Sequence, residues 1–112
     1  MILIGQHDSP YVRRVAVSLH RLGIAFERAP LSTLRAIEAM RRLNPTLRVP
    51  ALVPDDGETL TDSNAILDWL DGEVGPDRAL IPPAGEPRRR CWQAIGLSAT
   101  AWMDFANEQG PY

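Results

Sequence analysis

The chain opens with a short apolar run, Ile2-Leu3-Ile4, which suits a buried strand. A polar loop follows. Ser9-Pro10 then reads as an N-cap with proline at the first helical position, where a missing N–H costs nothing. Val12, Val15, Ala16, Leu19 and Leu22 recur at helical spacing, and Gly23 is a natural C-terminal stop. Ile24 to Ala29 predicts a second strand. Leu34, Ile37, Met40 and Leu43 make a second helical stripe, halted by Asn44-Pro45.

The second half changes rhythm. Val49 to Val53 predicts a strand, Pro54-Asp55-Asp56-Gly57 a turn, and Glu58 to Thr61 a short returning strand. Asp62-Ser63 caps a third helix with Ile66, Leu67 and Leu70 on its apolar face and Trp69 alongside. Proline and glycine then crowd the stretch from Gly72 to Pro87, which reads as a connection. Arg88 to Ala106 is a fourth, longer helical pattern with Cys91, Ile95, Ser98, Trp102 and Phe105 on one stripe and Trp92 and Ala99 beside it. The expected division is a domain over 1–74, a linker over 75–87 and the start of a second unit over 88–112. The order βαβα followed by ββα predicts an α/β domain: a parallel pair from the crossover, an antiparallel pair from the hairpin, and helices on both faces. That four-stranded mixed sheet is the thioredoxin-like arrangement.

Composition narrows the function classes. At 112 residues there is room for one compact domain and an appendage, and a 45% hydrophobic content is too high for a disordered chain. No apolar stretch approaches the length that spans a bilayer, and the first residues lack the basic flank and long apolar core of a signal peptide. A cytoplasmic location is expected. The net charge of -2 makes no electrostatic case for nucleic acid or an anionic membrane as partner. The single Cys cannot form an internal disulfide, a CxxC redox pair or most of a zinc site, so no metal is expected.

Three short features carry candidate chemistry, and each has a plain alternative. Ser9-Pro10-Tyr11 is either a simple cap or a hydroxyl that adds to the positive end of a helix to hold an anion. Val49-Pro50 is either an edge or bulge in a strand or a cis peptide that turns the Val49 backbone outward for a peptide-like ligand to pair with. Asp62-Ser63 is either a second cap or a grip on a ligand with both an ammonium and a carboxylate. In that second reading Asp62 takes the ammonium, and Ser63 with its N–H takes the carboxylate.

Order and spacing strengthen the three together. Ser9-Pro10-Tyr11-Val12-Arg13-Arg14, Asn44-Pro45 through Val49-Pro50-Ala51-Leu52, and Leu60-Thr61-Asp62-Ser63-Asn64-Ala65-Ile66-Leu67 resemble the corresponding stretches of the cytosolic glutathione transferase family, in particular its bacterial serine-type members. The resemblance covers residues 1 to 106. It implies a glutathione-binding thioredoxin-like domain followed by the first helix of an all-helical domain, most of which lies beyond this chain. It implies that Ser9 faces the glutathione sulfur and is the catalytic residue, that Val49 with Pro50 pairs with the cysteinyl backbone, and that Asp62 with Ser63 grips the γ-glutamyl end. Glutathione is then a co-substrate whose thiolate attacks a small electrophile or a disulfide, with no metal required. A homodimer through the third and fourth helices is implied as well.

Three neighbouring readings stand beside this one. The first is that of the isomerase-type relatives acting on maleylacetoacetate, which carry a Ser-Ser-Cys-like run at this place that the sequence lacks. Glutaredoxins resemble this chain in fold, but their Cys-Pro-Tyr-Cys stands where Ser9-Pro10-Tyr11-Val12 stands here, and both redox sulfurs are missing. The rival from another class is a non-catalytic interaction protein on the same fold. Asp62-Ser63 and Val49-Pro50 favour ligand binding over a bare scaffold. His20, near the end of the first helix, is read as a solvated side chain, and His7, in the loop before Ser9, is within reach of the ligand although nothing in its spacing demands that role. Arg88-Arg89-Arg90 at a helix start is read as a solvated face that acidic partners would stabilise.

Overall fold

The computed structural model describes residues 1–29, 41–42 and 49–108, with side chains through residue 101. The chain divides into two compact units, Met1–Arg78 and Ala79–Tyr112. In the first, β1 (Ile2–Ile4) leads through a loop to α1 (Pro10–Leu22), and β2 is Glu27–Ala29. β3 (Ala51–Val53), β4 (Leu60–Thr61) and α2 (Ser63–Val74) complete it. The expected helix over Leu34 to Leu43 and its Asn44-Pro45 stop lie outside the described residues, apart from Arg41 and Arg42, which are helical and exposed.

Local signals account for α1 from end to end. Ser9 is its N-cap, with Oγ accepting from the Val12 N–H at 3.3 Å, and Pro10 takes the first turn. Gly23 ends it at φ 72°, a left-handed conformation that costs glycine nothing, and donates to the His20 carbonyl. Val12, Val15, Ala16, Leu19 and Leu22 are all buried. A guanidinium nitrogen of Arg78 donates to the Leu22 carbonyl at 2.5 Å, so the last residue of the unit is tied to the C-terminal end of α1.

The four strands form one mixed sheet in the order β2-β1-β3-β4. β1 runs parallel to β2 and antiparallel to β3, and β3 is antiparallel to β4. The strand period of two sorts the side chains. Leu3 and Leu52 join α1 and α2 in the main core, with Ile66, Leu67 and Leu70 of α2. Ile4 and Ala51 face the other way and gather Ile2, Ala29, Val49 and Val53 about them. Each large apolar group buried in the main core contributes about 1.5 to 3 kcal/mol.

The strands are shorter than the apolar pattern suggests. Ile24 to Phe26, Val49-Pro50 and Glu58-Thr59 lie outside the ladders, because pairing is limited to the three residues of β1 and because Pro50 has no N–H to give. Ile24, Phe26 and Val49 still pack against the main core, which is why they read as strand. The Val49-Pro50 peptide is cis.

In the second unit, α3 spans Gly85–Glu108 and so starts three residues before the expected Arg88. Cys91, Trp92, Ile95 and Ala99 are partly exposed along it and Ser98 is exposed, while Trp102 and Phe105 lie outside the described side chains. Glu86 in the first turn pairs with Arg89, supplying from within the helix the acidic partner that the arginine run needs. The Arg88 guanidinium lies 5.8 Å from the centre of the Trp92 ring.

Candidate functional site

Strand register brings the three candidate features to one end of the sheet. Ile4 pairs with Ala29 on β2 and with Ala51 on β3, and Ala51 pairs with Thr61 on β4. One row of residues therefore crosses all four strands. Just past that row lie Gly5 leaving β1, Pro50 entering β3, and Asp62 leaving β4. Ser9 is reached four residues after Gly5, at the start of α1, and Ser63 begins α2.

The loop from Gly5 to Ser9 is held by its own backbone and by two arginines. Gly5 N–H donates to the Ala29 carbonyl at 3.1 Å, and Ser9 N–H donates to the Gln6 carbonyl at 3.2 Å. Arg28 donates to the Gly5 carbonyl at 3.2 Å, and Arg13 to the His7 carbonyl at 3.0 Å. His7 and His20 are both exposed, and His20 also lies edge-on to Phe26 with ring centres 5.1 Å apart.

The two serines and the aspartate differ in how they meet their helix ends. Ser9 uses its oxygen as a cap. A hydroxyl that accepts still has its own proton to donate. Asp62 occupies the N-cap position of α2 but makes no side-chain cap bond, so capping does not account for its carboxylate. Its backbone is unusual as well, at φ 72° and ψ 125°, the only positive φ on a non-glycine among the described residues. Such conformations cost on the order of 1 to 3 kcal/mol and persist where surrounding structure enforces them. Ser63 is the first helical residue, 3% exposed, and its Oγ accepts from Arg14 Nη1 at 3.0 Å.

Arg14 had no role in the sequence reading. Its Nη1 also donates to Asn64 Oδ1 at 2.7 Å, so it joins the second turn of α1 to the first turn of α2. Burial pushes its guanidinium below the ordinary arginine range, while the Asp62 carboxylate and the Tyr11 hydroxyl pull the other way. Only its place in the Arg13-Arg14 pair hinted at it, since its partners are 49 and 50 positions away.

A β2-β1-β3-β4 sheet with a cis-proline entering β3 and two helix starts at the same end is a thioredoxin-like domain. The family model for the glutathione S-transferase N-terminal domain matches residues 3–78, and the chain belongs to the glutathione S-transferase family. The structure of a glutathione transferase family member from Pseudomonas fluorescens Pf-5, with bound glutathione, is 39% identical with a TM-score of 0.66; the match covers 88% of this chain and 48% of that one. The glutathione S-transferase-like protein tpcF of Aspergillus fumigatus is 33% identical over 107 residues, 92% of this chain and 44% of its own. The maleylacetoacetate isomerase of Pseudomonas aeruginosa is 37% identical over 97 residues, 82% of this chain and 44% of its own. The chain thus spans less than half the length of each of these relatives. No helix among the described residues is long and apolar enough to cross a membrane. No group of three or more His, Cys, Asp or Glu among them could hold a metal ion.

Proposed function

We propose that this chain is the glutathione-binding half of a serine-type glutathione transferase and that glutathione is its co-substrate. The ligand's cysteinyl backbone pairs with Val49, beside Pro50, as an added strand would. Its γ-glutamyl ammonium pairs with Asp62, and its γ-glutamyl carboxylate takes the Ser63 hydroxyl and the N–H groups at the start of α2. The observation that carries this reading is the register row Ile4–Ala51–Thr61, which sends all three stretches out at one end of the sheet. The carboxylate of Asp62, unspent on capping, supports it further.

Ser9 is the catalytic group in this reading. Free thiols titrate near pH 8.5, so most glutathione is unreactive at neutral pH. With its oxygen occupied by the Val12 N–H, the Ser9 hydroxyl has a proton to donate to sulfur, and the positive end of α1 favours the same charge. The thiol proton passes to solvent. The thiolate then uses its electron pair to form a bond to an electrophilic carbon, from which a leaving group departs with its bonding pair or whose π bond opens and takes a proton from solvent. With a disulfide it bonds to one sulfur, and the other sulfur departs as thiolate.

The relatives' length and the partly exposed apolar stripe of α3 support a whole protein with an all-helical second domain that receives the electrophile, and a homodimer involving α2 and α3. A cytoplasmic location suits this chemistry. The test is the full-length protein on immobilised glutathione, followed by a conjugation assay. Retention with turnover is expected. Retention without turnover leaves a binding module, and no retention overturns the reading.

A further inference from the structure

Arg28 stands at the middle of β2, paired with Leu3 of β1. Its neighbour Ala29 belongs to the side of the sheet away from α1, so the strand period of two puts Arg28 on the α1 side, with Leu3 and Leu52. From there its guanidinium reaches past the end of β1, and Nη2 donates to the Gly5 carbonyl at 3.2 Å. Gly5 is thus held twice from β2, since its N–H donates to the Ala29 carbonyl at 3.1 Å. The first bond needs a long side chain with a donor at its end, whereas any residue could make the second. Nε of Arg28 is buried and makes no hydrogen bond among the described residues. A buried charged donor left so costs more than one hydrogen bond to a carbonyl contributes, so fold stability alone does not account for an arginine here.

The bond falls at the one place where the route to Ser9 is loosest. Gly5 has no room for a Cβ, which would collide with Val12, and glycine is also the residue whose backbone turns most freely. Beyond it, the Ser9 N–H donates to the Gln6 carbonyl at 3.2 Å and closes a tight turn with His7 and Asp8 at its tip. The peptide between Gly5 and Gln6 is planar, so holding the Gly5 carbonyl sets the plane from which that turn departs. We propose that Arg28 is a positioning residue for Ser9: by pinning the Gly5 carbonyl it fixes the turn from Gln6 to Ser9, and with it the direction in which the Ser9 hydroxyl meets the sulfur of glutathione. The inference rests on the reading of Ser9 as the partner of the thiol. A hydroxyl held in place before the thiolate forms needs no reordering when it does.

The test is a double-mutant cycle with Ser9→Ala on the full-length protein. It is read in ultraviolet titration of bound glutathione thiolate and in the pH profile of conjugation to an activated aryl chloride. Arg28→Met is expected to raise the pKa of the bound thiol. At about pH 6.5, below the range in which free thiols ionise, turnover should fall by about 3- to 10-fold, the scale of one weakened hydrogen bond. At high pH, where the thiol ionises unaided, turnover should approach that of the wild type. Glutathione affinity should change by about twofold or less, since no ligand contact is removed. Arg28→Lys keeps a donor at similar reach and should restore most of the profile. In the Ser9→Ala background, Arg28→Met should shift nothing further. An equal shift in both backgrounds would mean that Arg28 acts on the thiolate as a charge and not through Ser9, and that overturns the proposal. Lost stability with an unchanged thiol pKa makes the role structural and overturns it too. Should Arg28→Met fail to fold, Arg28→Gln, too short to reach the Gly5 carbonyl, reads the same cycle. If Ser9→Ala alone leaves the thiol pKa unchanged, the reading of Ser9 fails and the proposal with it. A shift with Ser9→Ala and none with Arg28→Met removes the role of Arg28 alone.

Discussion

Gly5 and Val49 approach so closely that a Cβ on the glycine would lie 3.2 Å from the Cβ of Val49, and 2.4 Å from Cγ2 of Val12. The end of β1, the start of α1 and the approach to β3 thus meet at a point with no room for a side chain. Gly5 also holds φ at 140°, where L side chains are rarely found. Gly5→Ala therefore adds backbone strain to a clash with the body of Val12. A loss of about 2 kcal/mol or more is expected in urea unfolding. Glutathione affinity should fall too, because Val49, with its Cβ only 3.2 Å from the added group, must also give way. A variant as stable as the wild type would mean that the loop yields at little cost.

Ser9→Ala separates the two duties of one hydroxyl. The lost cap should cost about 1 kcal/mol of stability. Glutathione affinity should stay nearly intact, while the pKa of the bound thiol rises, because the hydroxyl favours thiolate over thiol more than it grips the ligand. The rise of activity with pH then moves to higher pH. Ultraviolet titration of the bound thiolate reads this directly. If wild type and variant titrate together, Ser9 is a cap alone.

What could be read from the sequence follows the range of the interactions. Every part of α1 was legible, since Ser9, Pro10, the apolar stripe and Gly23 act within a few residues of one another. The strands were overextended because Ile24, Phe26 and Val49 pack in the core without entering a ladder, and a run of apolar residues does not distinguish the two. Glycine after a strand gave no notice that Gly5 sits against Val12 and Val49. Asp62 looked like a cap from its position, and nothing local announced its positive φ or the missing cap bond. Arg14 was missed because its partners lie some fifty residues on. The resemblance to glutathione transferases supplied what local patterns lacked: the expectation that Ser9, Val49-Pro50 and Asp62-Ser63 share one ligand.

Burial on α1 gives a paired test of the core. Leu19 is fully buried, whereas Val17, two positions earlier, is 66% exposed. Leu19→Ala removes packing against the main core and leaves a cavity that α1, fixed at both caps, cannot close fully. A loss of about 2 to 5 kcal/mol is expected. Val17→Ala removes little buried area and gains helix propensity, so its effect should stay within about 0.5 kcal/mol and lean toward stabilisation. Parallel chemical denaturation of the two variants checks the contrast. Similar losses for both would mean that Val17 is covered in the whole protein, as by a partner.

Asp62 offers a substitution with opposite effects on fold and ligand. Its backbone sits at φ 72° and ψ 125°, a region that glycine enters freely and aspartate does not, and its carboxylate makes no cap bond that α2 would lose. Asp62→Gly removes the Cβ that makes this conformation costly, at the expense of a more flexible unfolded chain. The relief of about 1 to 3 kcal/mol exceeds the glycine penalty of about 0.5 to 1 kcal/mol, so stability should hold or rise by about 1 kcal/mol. The ligand loses the partner of its ammonium, and glutathione affinity should fall by about 2 kcal/mol, or roughly thirtyfold. Asp62→Ala should show the same loss of affinity without the gain in stability, since alanine keeps the strain. Thermal melts and calorimetry on the two variants separate the effects. A clear destabilisation by Asp62→Gly would show that the carboxylate supports the fold through its charge beside the partly buried Arg14 by more than the strain it carries. Unchanged affinity in both variants would remove Asp62 from the site.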